Sequence, residues 1–188
     1  MGPLVAAVLA ASPVVVISVT DTGVKVNGAV VMGAVPESGP INLPPLDDAL
    51  RAFGGKKVEC VIASQRQVRV GALMRLMFAC AVISAGSMTL ELSEYERVEI
   101  FRPSLDLPDS EVFVDLSPAQ LVVRRQDTTR ASLGTPSVEA LEPLIASPAP
   151  LWVNVEARVT AQRLAEVMGA LRAAGATRVR VNPVLGRL

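Results

Sequence analysis

The stretch "TAQRLAEVMGALRAAGATRVRVNP", residues 160–183, combines an amphipathic helix with a following strand. Gly175 is placed to end this helix in the left-handed conformation, and the apolar residues at helical spacing are Leu164, Val167, Met168 and Leu171. A looser copy stands 89 residues earlier in "GALMRLMFACAVISAGSMTLELS", residues 71–93, where Gly86 takes the place of Gly175. Two copies of one helix–strand pattern predict an internal duplication.

Working outward, the first half predicts a β-hairpin followed by alternating helices and strands. The hairpin strands are "VVVISVT" and "VKVNG", and the residues "DTG" between them favour a turn. After the hairpin come, in order, a Pro- and Gly-rich loop, the helix "LDDALRAF", the strand "VECVIAS", the helix ending at Gly86 and the strand "MTLELS". This half therefore predicts six elements.

The second half predicts the same order. Its hairpin joins "EVFVDLS" to "QLVVRRQ" across Ser117-Pro118-Ala119, and its first helix, "VEALEPLIA", is expected to be disturbed by Pro143. The strand "LWVNVEA" then leads into the opening stretch. Each unit is predicted as β-β-α-β-α-β, so the fold class is α+β. We expect two tandem two-layer sandwiches, each a mixed sheet with two helices on one face, related by a pseudo-two-fold axis.

The chain divides into four predicted segments. Residues 13–93 and 111–188 are the two units, and residues 94–110 are a polar connector with one short strand-like patch. Residues 1–12 are interpreted as an apolar leader or anchor remnant. The uncharged run 3–19 is at the lower limit for a membrane span, a proline interrupts it, and it lacks the basic segment of a signal peptide.

Composition narrows the classes of function. The chain carries 18 basic and 18 acidic residues and 3% aromatics, so nucleic acid is not an expected partner. Histidine is absent, and Cys60 and Cys80 lack metal-binding spacing, so no metal or other cofactor is expected. Both cysteines are predicted to be buried, reduced thiols, because a helix packed about 10 Å from a sheet lies beyond disulfide reach. The mean hydropathy of +0.43 leaves open either a compact Ala/Val-rich core or an apolar partner surface.

No catalytic motif is present, and the chain is not expected to be an enzyme. It contains no nucleophile elbow, no Walker A sequence and no dinucleotide-binding glycine pattern. The segment "FGGKK", residues 53–57, lacks the Ser or Thr of a phosphate loop and is interpreted as a helix end and a solvated turn. A loose acidic run is interpreted as a solvated strand edge rather than an acid–base pair; its members are Glu91, Glu94, Glu96 and Glu99.

The hairpin and the helix–strand pattern resemble a known family, the periplasmic domain of the biopolymer-transport proteins ExbD and TolR. The hairpin residues that carry the resemblance are Asp21, Gly23, Val26, Asn27 and Gly28. The helix residues that fall where the family pattern has them are Val167, Met168, Leu171, Ala174 and Gly175. The two halves together cover most of residues 13–183, so the resemblance implies an ExbD/TolR-like domain duplicated in tandem.

The resemblance implies a non-enzymatic cell-envelope module that acts in proton-motive-force-coupled transport or envelope maintenance. Its implied partners are envelope proteins of an ExbB/TolQ-type complex or a TonB/TolA-type protein, with peptidoglycan and a second copy of the chain as further candidates. The implied location is the periplasm or the periplasmic side of the inner membrane. Family members carry a proton-coupling aspartate in an N-terminal membrane helix, whereas the first acidic residue here is Asp21, so this chain is not expected to carry the proton step.

Two other interpretations stay open. One is a duplicated small α/β ligand-binding or regulatory module outside the envelope machinery, with a cytoplasmic location. The other is an enzyme of a type that the motifs do not identify.

Strand alternation predicts a partner surface on the second unit. If Val153 and Val155 face the helices, Trp152 faces away, and the same rule turns Phe113 and Arg180 outward. The final strand is also an edge that another chain can extend. The candidate interface residues are Phe113, Trp152, Thr177, Arg178, Arg180 and Asn182. The alternative is that the first unit or the connector covers this face and makes it internal core.

Overall fold

A computed structural model of the chain describes residues 13–36, 42–54, 58–82, 87–92, 95–99, 112–125, 128–145, 151–176 and 179–184. These residues form a mixed α+β structure. The elements of the first half are β1 (Val14–Val19), β2 (Gly23–Val26), β3 (Ala29–Gly33), α1 (Pro44–Arg51), β4 (Glu59–Ser64), α2 (Val70–Val82), β5 (Ser87–Leu92) and β6 (Tyr95–Glu99). Those of the second half are β7 (Val112–Leu116), β8 (Leu121–Arg125), β9 (Thr128–Leu133), α3 (Val138–Ile145), β10 (Leu151–Glu156), α4 (Ala161–Ala173) and β11 (Val179–Val184).

The strands form two mixed sheets. The first sheet has six strands in the order β3-β2-β1-β4-β5-β6, and the second has five in the order β11-β10-β7-β8-β9. In both sheets the first and fourth strands of the half pair in parallel, and the first and second pair antiparallel. The predicted hairpins and strand–helix–strand crossovers are confirmed. Each crossover helix connects two strands that pair in parallel, as α2 connects β4 to β5.

Within the bounds of each predicted unit there is one strand more than the β-β-α-β-α-β order that the sequence predicted. In the first half the extra strand is β3, which pairs with β2 across a two-residue turn at Asn27 and Gly28. Their φ angles are 48° and 85°, and an Asn-Gly turn with positive φ at both positions connects hairpin strands. The prediction was wrong because it took this turn as the start of the Pro- and Gly-rich loop. In the second half the extra strand is β9, whose polar sequence "TTRASL" lacks an apolar alternation.

The strand-like patch inside the predicted connector is β6, which pairs antiparallel with β5 and extends the first sheet. Residues 100–111 of the connector and the predicted leader 1–12 lie outside the described residues. The predicted α3 helix forms and continues through Pro143 to Ile145, although Pro143 removes one backbone N–H.

The helix of the opening stretch ends at Gly175, as predicted, and begins after an N-cap at Thr160 that was not predicted. The Thr160 hydroxyl accepts a 3.2 Å hydrogen bond from the Arg163 N–H, which caps the start of α4. At its end Gly175 has a φ of 96°, and the two N–H groups at Gly175 and Ala176 return to the carbonyls of Arg172 and Leu171. This pair of bonds is the Schellman motif. The matching α2 helix is described to Val82, and Gly86 lies outside the described residues.

The two halves share one hydrophobic core. Helix α2 contacts β10 and β11 of the second sheet, and α4 contacts β5 and β6 of the first. Consistent with contacts on opposite sides, α2 is buried around its whole circumference, and its buried residues are Val70, Ala72, Leu73, Met74, Arg75, Leu76, Met77, Ala79 and Cys80. In two independent two-layer sandwiches each helix would contact only the sheet of its own half. Here α2 and α4 also contact the sheet of the other half.

The halves also meet through backbone hydrogen bonds at the starts of α2 and α4. Arg69 and Thr160 form an antiparallel β-bridge there. Four N–H to carbonyl bonds surround it: Val70 to Val159 at 2.7 Å, Ala161 to Val68 at 2.7 Å, Gly71 to Ala157 at 2.9 Å and Gln162 to Arg66 at 3.0 Å. The helices begin at Val70 and at Ala161, 91 residues later. A position 91 residues after Val70 is Ala161, and a position 91 residues before Val159 is Val68, so the first bond is equivalent to the second. By the same interval the third bond is equivalent to the fourth.

The interval of 91 corrects the interval of 89 that matching Gly86 to Gly175 implies. The parallel strands give the same interval, because Ile62 pairs with Leu90 in the first sheet and Val153 pairs with Val181 in the second. The glycine match was misleading because it compared helix ends, whereas the spacing is set where the helices start.

Candidate functional site

The candidate site lies on the side of the second sheet that faces away from the helices, called the open face below. On the helix side Val112, Val114 and Leu116 are buried, as are Val153 and Val155, in agreement with the predicted alternation. The open face carries Phe113, Asp115, Val122, Arg124, Trp152 and Asn154. Since the helix side supplies the apolar core, aromatic and charged residues on the opposite side call for a separate explanation.

An aromatic row crosses the open face. Phe113 lies between Trp152 on β10 and Arg124 on β8, its cross-strand neighbours. The Arg124 guanidinium carbon lies 5.8 Å from the centre of the Phe113 ring, within the range of a cation–π contact. Trp152 is only 4% exposed although it points away from the helices, whereas Phe113 is half-buried. Trp152 therefore contributes to stability as a core residue does, and Phe113 is the more accessible of the two aromatics.

A polar network lies beside the aromatic row. Arg124 donates from Nε to Asp115 Oδ2 and from Nη2 to Asp115 Oδ1, the second bond being 3.0 Å, so the pair is bidentate. Asn154 Nδ2 donates a 2.7 Å bond to Asp115 Oδ1 from the neighbouring strand. The Arg124 and Asp115 side chains are 32% and 37% exposed, so we expect the ion pair to stabilise the fold by at most about 1 kcal/mol. The network fixes the position of the Asp115 carboxylate more than it stabilises the protein.

A depression of about 300 Å³ opens next to Asp115, at the carboxyl ends of the parallel strands β7 and β10. Its lining residues are Asp115, Leu116, Ser117, Gln120, Val122, Asn154 and Glu156. The turn after β7 shapes one wall, because the Ser117 N–H donates a 2.9 Å bond to the Gln120 carbonyl. The Gln120 amide is held by a 2.8 Å bond from its Nε2 to Ser132 Oγ. Val122 thus gives the depression one apolar side chain, and carboxylate, amide and hydroxyl groups line the rest of it.

No family model, curated protein or solved structure matches this chain. Among the helices that the structure describes, none has the length and apolar character to cross a membrane.

The predicted interface residues fall into three groups. Phe113 and Trp152 are neighbours on the open face. Arg180 and Asn182 lie on β11, where they pair with Trp152 and Asn154, and their side chains are outside the described part. Thr177 and Arg178 lie outside the described residues altogether. Among the described strands β11 is at the edge of its sheet, as predicted, and it contains Pro183, a residue that edge strands tolerate.

Sequence reasoning missed the polar network. Asp115 and Arg124 are nine residues apart and come together because the hairpin pairs Phe113 with Arg124 and Asp115 with Val122. The turn Ser117-Pro118-Ala119 was identified, so its register could have placed a carboxylate diagonally opposite a guanidinium. Asn154 comes from a parallel strand, and no local pattern in the sequence gives its partner.

The remaining predicted features lie elsewhere. Both cysteines are free and fully buried, in agreement with the prediction. Their side chains hydrogen-bond to each other, and this bond together with burial raises the pKa of the Cys80 thiol far above its usual range. Of the acidic run, Glu91 is half-buried on β5, and Glu96 and Glu99 lie on β6. In "FGGKK" the described residues 53 and 54 form a turn after α1, with the Gly54 N–H bonded to the Arg51 carbonyl at 3.0 Å.

Proposed function

We propose that this chain is a non-enzymatic interaction module of the cell envelope, similar to the periplasmic part of ExbD and TolR, and that the open face binds its partner. The observation that carries the proposal is the row of Phe113, Arg124 and Asp115 on the open face, the side of the sheet that faces away from the described helices. Aromatic residues and arginine are enriched at protein interfaces, and here they are held in place by the pair between Arg124 and Asp115.

The two halves act as a fused pair of related units. The support for this is the set of inter-half hydrogen bonds around Arg69 and Thr160, which repeat at an interval of 91 residues. The common strand order of the two sheets supports it as well. A duplicated chain of this kind holds within one polypeptide an arrangement that single-domain relatives would reach by dimerising.

The resemblance to the biopolymer-transport family is supported by two local features. The hairpin around Asp21 and Gly23 forms, and it continues into the turn at Asn27 and Gly28. The helix whose residues match the family pattern forms and ends at Gly175. The proposed partners are a protein of an ExbB/TolQ-type complex or a TonB/TolA-type protein, in the periplasm. The first acidic residue of the sequence is Asp21, and this proposal does not assign the proton step to this chain.

The edge strand β11 gives the partner a second point of attachment. An edge strand presents one side of its backbone for pairing, and an extended segment of another chain can add to it. This edge lies next to Trp152 and Asn154 through the pairs with Arg180 and Asn182. One partner segment can therefore pair with β11 and reach across the open face.

A second candidate function is a duplicated ligand-binding or regulatory module outside the envelope. The depression beside Asp115 favours it, because about 300 Å³ is the lower end of the range of small-molecule sites. Cell fractionation separates the two candidates: the first requires the protein on the periplasmic side, and the second places it in the cytoplasm.

The test of partner binding is photo-crosslinking in the source cells. We would replace Phe113 by benzoylphenylalanine, which keeps an aromatic ring, and use the half-buried Phe53 after α1 as the matched control. The expected result is an adduct with one envelope protein from position 113 and none from position 53. An Arg180→Glu change at the edge is expected to reduce that adduct. If position 113 gives no adduct, or if both positions give the same adducts, the open face is not the binding surface.

A further inference from the structure

The pairing registers identify equivalent positions in the two sheets, and these positions differ in chemistry. In the second sheet Asp115 lies between Val122 and Asn154. In the first sheet the equivalent centre is Ser18, which lies between Lys25 and Ala63. The strand pairing is thus the same at both places, whereas the carboxylate of Asp115, the amide of Asn154 and the apolar side chain of Val122 occur only in the second.

The depression is lined by acidic side chains, and hydrogen bonds hold one of them, the Asp115 carboxylate, in a fixed position. Arg124 balances the charge of Asp115, and Glu156 at the end of β10 is exposed with no ion pair to any described residue. Asp115 Oδ1 accepts from both Arg124 and Asn154, whereas Oδ2 accepts from Arg124 alone among the described residues. A carboxylate oxygen can accept two bonds, so Oδ2 can accept one more.

We propose that this depression binds the ammonium group of a lysine side chain from the partner protein. The inference rests on the proposed function and specifies the chemistry of the partner. The lysine methylenes pack on Val122, and the ammonium donates to Asp115 Oδ2 and to Glu156 at the rim. Asp115 pairs with Asn154, and Glu156 lies two residues further along β10, so about 4.8 Å between the strands and about 6.6 Å along them separate the two residues. Two carboxylate side chains and one ammonium can bridge this separation.

Lysine fits this site better than arginine. The Asp115 carboxylate already receives a bidentate guanidinium from Arg124, so a second planar guanidinium would find no free pair of oxygens on it. An ammonium is a compact point charge with three donors, and it can use single acceptor positions on different groups. The volume of about 300 Å³ holds one extended side chain.

The experiment titrates the full chain with a short acetylated peptide containing one central lysine, and with the same peptide containing norleucine or arginine. Amide chemical shifts in an NMR spectrum of the labelled protein report the site. We expect shifts confined to residues around Asp115, Asn154 and Glu156 with the lysine peptide, weaker shifts with arginine and none with norleucine. Binding should weaken as salt is raised, because the contact is between exposed charges.

Two variants test the assignment without disturbing the fold. Glu156→Gln removes one rim charge and is expected to weaken lysine-peptide binding about two- to fivefold, as for an exposed ion pair, while Glu142→Gln on the exposed side of α3 should not. Val122→Lys places a cation where the first sheet has Lys25, and it should abolish binding with little change in thermal stability.

Shifts at Ser18 and Ala63 as large as those at Asp115, or equal shifts with the norleucine peptide, would overturn the lysine site. The same holds if Glu156→Gln and Glu142→Gln behave alike. A crosslink from position 113 without a lysine-dependent shift would leave the proposed function standing and remove this inference alone. If position 113 gives no crosslink but the lysine peptide gives clear shifts, the proposed partner binding is wrong and the lysine site remains.

Discussion

Arg69 and Thr160 pair with each other across the junction of the two halves, and each stands one residue before the crossover helix of its own half. The hydrogen bonds on either side of this bridge place the starts of α2 and α4 against one another. The junction is therefore a backbone contact, and it depends on how closely the two chains can approach.

The first prediction concerns that approach at Gly71. A Cβ at this position would lie 3.0 Å from the Ala157 Cβ and 3.2 Å from the Ala157 carbonyl oxygen. We expect Gly71→Ala to lower the free energy of unfolding by about 1 kcal/mol, because the crowding exceeds the gain in helix propensity. Urea denaturation measures it. Gly169→Ala in α4 is the matched control, since its Cβ meets nothing within 4 Å, and it should stabilise by up to about 1 kcal/mol. Equal effects of the two changes would contradict the close contact.

The second prediction concerns the end of α4. Gly175 has a φ of 96°, so a side chain there is strained even though a Cβ would meet nothing within 4 Å. Gly175→Ala is expected to cost about 1–2 kcal/mol of stability. Gly134→Ala has the same open space without the positive φ and should be close to neutral. Thermal unfolding of both variants separates backbone strain from steric contact.

The third prediction concerns the pH dependence set by the buried thiols. The folded state raises the pKa of Cys80 above its unfolded value through the bond to Cys60 and through burial. The same bond lowers the pKa of Cys60, whereas burial acts to raise the pKa of both thiols. The unfolded chain therefore releases this proton first, and the associated stability is present below about pH 8.5 and falls as the pH rises further. Urea denaturation in reducing buffer between pH 7 and pH 10 measures it. Cys80→Ala should flatten the decline, and an unchanged decline in that variant would assign it to other groups.

The fourth prediction separates the two aromatics of the open face. Trp152 is 4% exposed, so Trp152→Ala is expected to cost about 3–5 kcal/mol of stability, as in a core. Phe113→Ala should cost less and should remove the ring that Arg124 contacts. For this reason the Phe113 variant is the cleaner probe of partner binding. If Trp152→Ala unfolds with wild-type stability, the residue is not part of the packed structure.

The fifth prediction concerns the polar network. Asp115→Asn keeps the size of the side chain and removes the negative charge of the carboxylate to which Arg124 and Asn154 donate hydrogen bonds. The expected loss of stability is at most about 1 kcal/mol, because both members of the ion pair are about one-third exposed. Partner crosslinking at position 113 should fall more than the stability does. A loss confined to stability would make the network purely structural.

Local patterns in the sequence predicted the parts of the fold that depend on neighbouring residues. The hairpin strands, the helix end at Gly175 and the inward valines all follow from short-range periodicity and turn chemistry. The strand β3 was missed although Asn27 and Gly28 are the residues that a two-residue hairpin turn requires. That error came from the interpretation and not from a lack of information in the sequence.

The parts that could not be predicted depend on contacts between distant segments. Asn154 reaches Asp115 only because β7 and β10 are parallel neighbours, 39 residues apart at this pair. Likewise, nothing local indicates that Trp152 on the side away from the helices is buried to 4% exposure. The apolar character of α2 suggested a buried helix, but not that it contacts the second sheet.

The burial of α2 on all sides has a consequence for how the chain is made. Ribosomes deliver the first half before β10 and β11 exist, so a nascent chain that ends before residue 151 carries a helix with one apolar side exposed to solvent. Contacts between such distant segments form late, and an exposed apolar surface in the meantime favours aggregation. Chaperones that bind apolar segments would act during this interval, and truncated products lacking the last two strands would be substrates for proteolysis.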